Sequence, residues 1–279
     1  KMFQFIANIF GYLLEWLYNG IGQNYGIALI LFTIILRIIL LPLTIKQQKS
    51  MKKTTALQGK MQEIQFKYKN NPELMNKEIM ELYKRENLSP FSGCISSIVQ
   101  ILIILSVFYL VSRPLTYMKK IDPGIIENYK NEISAENDGK ISNYYEIEII
   151  QKKAAQDENI KVNMDFLGLD LSKVPSQNMS DATVYIIPLL YVVSSIFSIR
   201  MTTGKTKKKE GSNSSEPDMT QQMNKSMSYM MPIMAVSIAF VAPLGLALYW
   251  LVSNILMILE RIVINKYVDS KEEKTLCLK

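Results

Sequence analysis

Four stretches of this chain are apolar over lengths that match a lipid bilayer. A helix needs about 20 predominantly apolar residues, within a range of about 17–25, to cross the hydrocarbon layer. Residues 26–45 meet that requirement with one charge, Arg37, and residues 95–112 and 182–199 meet it with none. The stretch 227–259 is also uncharged but too long for one crossing. Pro243-Leu244-Gly245 near its middle favours a turn between two helices. The sequence therefore predicts an all-α, polytopic membrane protein with five spans, at 26–45, 91–112, 182–200, 227–243 and 244–262.

The connecting segments set an orientation, because Lys and Arg stay on the cytoplasmic side. Segment 46–90 carries ten Lys and Arg against five acids, and 200–226 carries six against three. Segment 113–181 carries nine against twelve acids and is the only acidic loop. The sequence thus predicts an outer N-terminus, a cytoplasmic segment 46–90, an extracytoplasmic loop 113–181, a cytoplasmic loop 201–226 and a cytoplasmic tail 263–279. A four-span reading would place the tail outside, and its near-balanced charge hardly objects. The final hairpin rests on length and on the Pro-Leu-Gly break.

Composition narrows the chemistry. The chain has no histidine, which removes Ser-His-Asp and Cys-His nucleophile pairs, histidine zinc sites and imidazole acid–base catalysis. Two cysteines, Cys94 and Cys277, are too few for a disulfide framework or a four-thiolate zinc site. No cofactor or metal is expected, and no enzymatic activity. The net charge of +7 fits nucleic acid or an anionic membrane until the charges are located. Located beside the spans, they point to the bilayer and to no specific nucleic acid.

Two flanking segments are amphipathic. In 1–25, Gln4, Asn8, Gly11 and Glu15 share one helical face, with Phe3, Ile6, Phe10, Leu13 and Leu17 filling the other side. This predicts a helix in the outer interface, with Trp16 and Tyr18 at headgroup level. In 46–90, Leu57, Met61, Ile64 and Tyr68 make one stripe. Asn71-Pro72-Glu73 reads as a helix start, and Met75, Ile79 and Leu82 make a second stripe. A helical hairpin would bury both. Its Lys-rich surface fits contact with anionic lipid, and equally a docking surface for a ribosome, a targeting factor or a nascent chain.

Arg37 is the most informative residue. A charge near the middle of a span costs about 2.5–3.5 kcal/mol, whereas each Leu, Ile or Phe returns about 0.3–0.6 kcal/mol. Thirteen such residues lie between Ile27 and Leu43, so the span still inserts. An intramembrane arginine faces protein or a water-filled cavity and is a functional candidate by default. No Asp or Glu lies in the middle of another span, and Glu260 sits near the inner end of the fifth. The expectation is an unpaired cation that needs water or a visiting partner.

Other spans carry polar faces that suit the same cavity: Thr33 in the first, Ser96, Ser97 and Gln100 in the second, and Tyr191, Ser194, Ser195 and Ser198 in the third. The fifth adds Tyr249 with Ser253 and Trp250 with Asn254. Small hydroxyl residues also mediate helix packing, so both readings stand for the serines. Met219, Met223, Met227, Met231 and Met234, with Met230 beside them, lead into the fourth span. They read either as flexible apolar filler or as an adaptable surface for varied apolar segments. Lys205 to Lys209, followed by a Gly/Ser/Asn run, reads as a flexible basic loop.

Several blocks, taken in order, resemble the YidC/Oxa/Alb family of membrane protein insertases, in the shorter five-span form typical of Gram-positive bacteria. They are Asn24-Tyr25-Gly26 through Thr33 and Arg37 to Leu41-Pro42-Leu43-Thr44, then Met80 with Leu82-Tyr83-Lys84. Ser89-Pro90 with Gly93-Cys94 and Gln100 follows, then Phe166 to Leu171, Met231 to Met234, and Gly245 to Trp250 with Ser253-Asn254. The resemblance implies a groove in the inner half of a bacterial plasma membrane, open to cytoplasm and lipid. Arg37 would be its cation, Thr33 and Trp250 would touch substrate, and 46–90 would be the cytoplasmic helical hairpin. The chain departs from the family in having Ile95-Ser96-Ser97 and Ile101-Leu102 where prolines are frequent. Glu260 stands where glutamine is usual.

The expected function is that of an insertase or chaperone for nascent membrane proteins. The groove hydrates the polar flank of a short substrate, Arg37 attracts its negative charge, and the apolar segment leaves into lipid along the third and fifth spans. The candidate groove residues are Arg37, Thr33, Gln100, Ser194, Ser195, Ser198, Tyr249, Trp250, Ser253 and Asn254. A ribosome or targeting factor and the general secretion channel are candidate partners. The rival readings are a small-solute transporter or channel, which would show two-sided access and an internal repeat, and an assembly scaffold without insertase activity.

Overall fold

The computed structural model describes residues 2–86, 88, 92–203 and 237–277. Its order is α1 (Met2–Gly20), α2 (Tyr25–Ala56), α3 (Gln58–Lys67), α4 (Pro72–Arg85), α5 (Ser92–Ser112), α6 (Pro114–Tyr117), α7 (Pro123–Glu136) and α8 (Tyr145–Lys153). A two-stranded antiparallel hairpin, β1 (Asp165–Phe166) and β2 (Leu169–Asp170), precedes α9 (Ile186–Thr203) and α10 (Leu244–Cys277).

Among the described residues, three helices are long and apolar enough to cross a membrane, at Tyr25–Thr54, Ala182–Met201 and Leu244–Ile264. The second expected span contributes a shorter apolar helix, Ile98–Ser112. Most of the fourth, with Met219, Met223, Met227, Met230, Met231 and Met234 and the Lys205–Lys209 loop, lies outside the described residues, as do the side chains of Cys94, Ser96, Ser97 and Cys277. The outer faces of the long helices are apolar: Leu189, Leu190, Val193, Ile196 and Phe197 on α9 are all exposed. A long helix whose apolar face is left uncovered by protein belongs in lipid.

α10 is the central element, packed against α9, α2 and α5. α2 and α10 begin side by side and run the same way, because one short segment holds both starts. The Tyr25 N–H donates to the Asn163 carbonyl at 3.0 Å, and the Gly245 N–H to the Leu171 carbonyl at 2.9 Å. Asn24 caps α2 by accepting from the Ile27 N–H (3.1 Å) and donates its own amide to the Asp165 carbonyl (2.8 Å). The hairpin turn, Leu167 and Gly168, has positive φ at both residues (53° and 78°), as a two-residue turn of the mirror-image type requires. It swings Phe166 onto Gly26, where any Cβ would lie 2.5 Å from the ring.

Residues 113–181, the acidic loop of the sequence, fold into a cap at this end. The Glu146 side chain is buried, and its carboxylate accepts from the Thr116 N–H (2.9 Å) and hydroxyl (2.6 Å). Burial raises its pKa, and the Thr116 hydrogen bonds oppose that rise. Lys153 ties α8 to α7 through Glu132 and Glu136, both at 3.0 Å. Arg113 lies over the rings of Tyr109 (5.7 Å) and Tyr145 (5.8 Å).

α1 packs against α5 and α2, and of the expected apolar side Leu17 is buried while Phe10 and Leu13 pack on the core. Ala7, Gly11, Leu14, Leu17 and Tyr18 are buried, whereas Phe5, Ile9, Tyr12 and Trp16 are exposed. Gly11 is needed for contact: a Cβ there would lie 1.8 Å from the Tyr117 carbonyl oxygen. Asn8, on the expected polar face, is bonded by the Lys120 ammonium, which also sits 4.1 Å from the centre of the Tyr12 ring. The buried side thus joins Ala7 and Gly11 to Leu14, Leu17 and Tyr18, while a row of large side chains, Phe5, Ile9, Tyr12 and Trp16, stays uncovered by protein. This ordering suits a helix whose outer side meets lipid.

α3 and α4 pack on each other, with Leu57 and Leu82 of the two expected stripes buried and Met61, Ile64, Tyr68, Met75 and Ile79 half-buried. Asn71 caps α4 by accepting from the Leu74 N–H at 3.1 Å, with Pro72 in the first turn and Glu73 behind it. The Tyr83 hydroxyl reaches the Met61 sulfur at 3.7 Å, and Lys60 pairs with Glu86 at 3.1 Å.

Candidate functional site

Most of the sequence-predicted polar residues gather on one seam where α2, α9 and α10 meet. Arg37 is twelve residues into α2, or about 18 Å from its start. Glu260 is sixteen residues into α10, or about 24 Å. The two helices start level, so the offset is about 6 Å, within reach of an arginine side chain. The guanidinium Nη1 lies 3.7 Å from Glu260 Oε2, and Nη2 donates to the Ser253 carbonyl at 3.1 Å.

Arg37 therefore has a resident counter-ion, which corrects the expectation of an unpaired cation. Sequence reasoning set Glu260 aside because it lies near the end of its own span. The signal that finds it is the common start of α2 and α10, which sets both groups at similar depth. Two unit charges 4 Å apart attract by about 4 kcal/mol at an effective dielectric of 20, before their desolvation is subtracted. The contact is nonetheless loose. At 3.7 Å it is no hydrogen bond, and the buried Glu260 Oε2 accepts none among the described residues. The two side chains keep 14% and 12% exposure, so the pair is shielded without being sealed.

The second part of the seam joins α9 to α10. Asn254 is buried, and its amide donates to the hydroxyls of Ser194 (2.9 Å) and Ser195 (3.1 Å). The Ser194 hydroxyl turns back to the Tyr191 carbonyl at 2.9 Å. Tyr191 and Trp250 stack obliquely with ring centres 6.4 Å apart. Ser198, Ser253 and Tyr249 are buried along the same helices. Thr33 is buried on α2 and donates to its own helix at the Leu29 carbonyl, 2.6 Å away. Gln100 is half-buried on α5, which packs beside α2 and α10. The structure thus joins Arg37, Glu260 and Ser253 in one set and Tyr191, Ser194, Ser195, Trp250 and Asn254 in another. The polar faces of α9 and α10 bond to each other, which is the helix-packing reading of the serines.

No group of three or more Cys, Asp or Glu side chains with metal-binding geometry occurs among the described residues.

Comparisons with known proteins bear on the chain as a whole. The family model described as 60Kd inner membrane protein matches residues 16–272. The membrane protein insertase YidC of Treponema denticola is 28% identical over 261 residues, covering 94% of this chain and 37% of that protein. The same-named protein of Geobacter metallireducens is 29% identical over 252 residues, covering 90% and 35%. That of Oceanobacillus iheyensis is 28% identical over 272 residues, covering 95% of this chain and 85% of the relative. The chain thus spans about a third of the length of the first two relatives and most of the third. A solved structure, described as an active YidC insertase crystal structure with the first transmembrane domain resolved, aligns with a TM-score of 0.51 at 20% identity. It covers 92% of this chain and 45% of its own. That likeness supports the helical fold, and the family match extends over nearly the whole sequence: the chain belongs to the 60Kd inner membrane protein family.

Proposed function

We propose that the protein containing this chain is a membrane protein insertase. It accepts the polar flank of a short nascent substrate at the α2–α9–α10 seam and releases the apolar segment into lipid. The observation that carries this reading is an arginine about 18 Å along an apolar span, held by the Ser253 carbonyl of α10, the helix whose Asn254 amide bonds the α9 hydroxyls. Such groups lower the cost of holding a polar flank within the hydrocarbon layer. The exposed face of α9, with Leu189, Val193, Ile196 and Phe197, offers the apolar segment a lipid-side track.

In this reading five spans place the cap outside and the α3–α4 pair in the cytoplasm of a bacterial cell. Gln100, Thr33, Ser198, Tyr249, Trp250 and Ser253 border the path with Arg37, Ser194, Ser195 and Asn254. Burial of the substrate's apolar segment supplies the drive. The membrane potential adds about 2.3 kcal/mol per charge per 100 mV for an acidic flank. The Lys-rich α3–α4 surface suits anionic lipid, a ribosome or a targeting factor, and cooperation with the general secretion channel fits the same role.

The full-length protein in liposomes, offered a single-span substrate with an acidic flank, tests the proposal. Protease protection of the substrate's flank is expected, with a loss of tenfold or more in Arg37→Ala. Retained insertion in that variant removes Arg37 from the mechanism. Absence of insertion by the unaltered protein refutes the insertase reading. Passage of small solutes would then favour a transporter, and stable complexes without insertion would favour a scaffold.

A further inference from the structure

We propose that Glu260 is a resident competitor for Arg37, so that an acidic substrate segment gains the guanidinium only by displacing it. The inference rests on the insertase reading above. It makes Glu260 a specificity-determining residue that sets how acidic a flank must be to use the site.

Three observations carry it. First, the arginine is anchored independently of its counter-ion. Its Nη2 donates to the Ser253 carbonyl, so the guanidinium stays in place when a carboxylate leaves. Second, the Arg37–Glu260 contact is a charge contact at 3.7 Å, and Glu260 Oε2 lacks a hydrogen-bond donor among the described residues. A guanidinium has five donors in a fork that fits a carboxylate bidentately, and an incoming carboxylate able to approach squarely makes two short bonds where Glu260 makes none. Third, both side chains retain a little exposure, 14% and 12%, so the exchange has an approach from outside the bundle.

The two charges also cancel at rest. A bare arginine at this depth would draw any anion, a lipid phosphate included, whereas a paired one answers only to a stronger partner. Weakly acidic flanks are therefore rejected and strongly acidic ones admitted.

The test compares the full-length protein with Glu260→Gln, which keeps the side-chain size and removes the charge. Three single-span substrates carry no, one or three acidic residues in the flank, and insertion into liposomes is read by protease protection. In Glu260→Gln, insertion of the one-acid substrate is expected to rise threefold or more, with no change for the substrate lacking acids. Adding Arg37→Ala to Glu260→Gln should abolish the gain, and Glu260→Asp should give a smaller rise. An unchanged one-acid substrate in Glu260→Gln overturns the proposal. So does an equal loss for all three substrates, which would make Glu260 a structural partner only. If the unaltered protein inserts none of them, the insertase reading fails first and this inference falls with it.

Discussion

The Asn254 amide reaches from α10 across to the Ser194 hydroxyl of α9 at 2.9 Å, and both groups lie between helices that face lipid elsewhere. In such a place apolar packing drives association weakly, because lipid tails are as apolar as leucine, and a hydrogen bond between helices gains in importance. Asn254→Leu should loosen the α9–α10 contact by about 0.6–1.7 kcal/mol. A double-mutant cycle with Ser194→Ala, read by unfolding in detergent, checks this: the coupling vanishes if the two groups act separately.

Gly26 and Phe166 make a second pair whose coupling is steric. A methyl group on Gly26 would lie 2.5 Å from the Phe166 ring, so Gly26→Ala should push the hairpin off the start of α2 and lower the melting temperature. Phe166→Ala alone should also destabilise, through the lost ring. Combined with Gly26→Ala it should cost less than the sum of the two. Additive losses would show that the ring yields freely.

Glu146 allows a test of buried charge. Glu146→Ala leaves the Thr116 N–H without its acceptor and should destabilise the cap by about 1–3 kcal/mol. Glu146→Gln keeps an acceptor and removes the desolvated charge, so it should cost far less. Because burial raises the folded pKa above the ordinary value, the native state holds the proton longer than the unfolded chain. Stability contributed by this group therefore falls as pH rises from about 4.5 toward the folded pKa. A Glu146→Gln protein should lack that slope in unfolding experiments between pH 4 and 8.

Lys173 and Asp181 give the opposite sign. Their contact at 2.7 Å, followed by the Thr183 hydrogen bonds, pulls the Asp181 carboxyl down to about 2, and the same bond raises the Lys173 ammonium. The stabilisation is complete above the unfolded carboxyl value of 3.8 and is lost as pH falls through about 2. For the lysine it is complete below 10.5 and lost above its raised folded value. The difference in melting temperature between the unaltered protein and Asp181→Asn should stay flat from about pH 5 to 9, then shrink below about pH 4.

The three long apolar helices were legible because an apolar run of about 20 residues has few other places to go. The start of α4 was equally plain, since Asn71-Pro72-Glu73 combines a cap, a fixed φ and a favourable charge in three residues. Sequence also picked out Asn254, Ser194 and Ser195 as polar positions. It could not tell that they satisfy one another, because helical periodicity gives a face and not its partner. The same gap hid Glu260 from Arg37. In α1 apolar side chains lie on both sides: Leu14, Leu17 and Tyr18 meet protein beside Gly11, while Phe5, Ile9 and Trp16 stay uncovered. Apolar side chains mark the inside only when the outside is water.

The peptide segment from Asn163 to Leu171 works as a ruler. By fastening Tyr25 at one point and Gly245 at another, it fixes how far Glu260 hangs below Arg37, from a place roughly 20 Å away. One residue inserted into α10 above Ser253 would turn everything beyond it by about 100° and lower it by about 1.5 Å. The carboxylate would then swing off the guanidinium without a single change at either charge. The meeting of these two side chains is thus set by the length of helix between them and the cap.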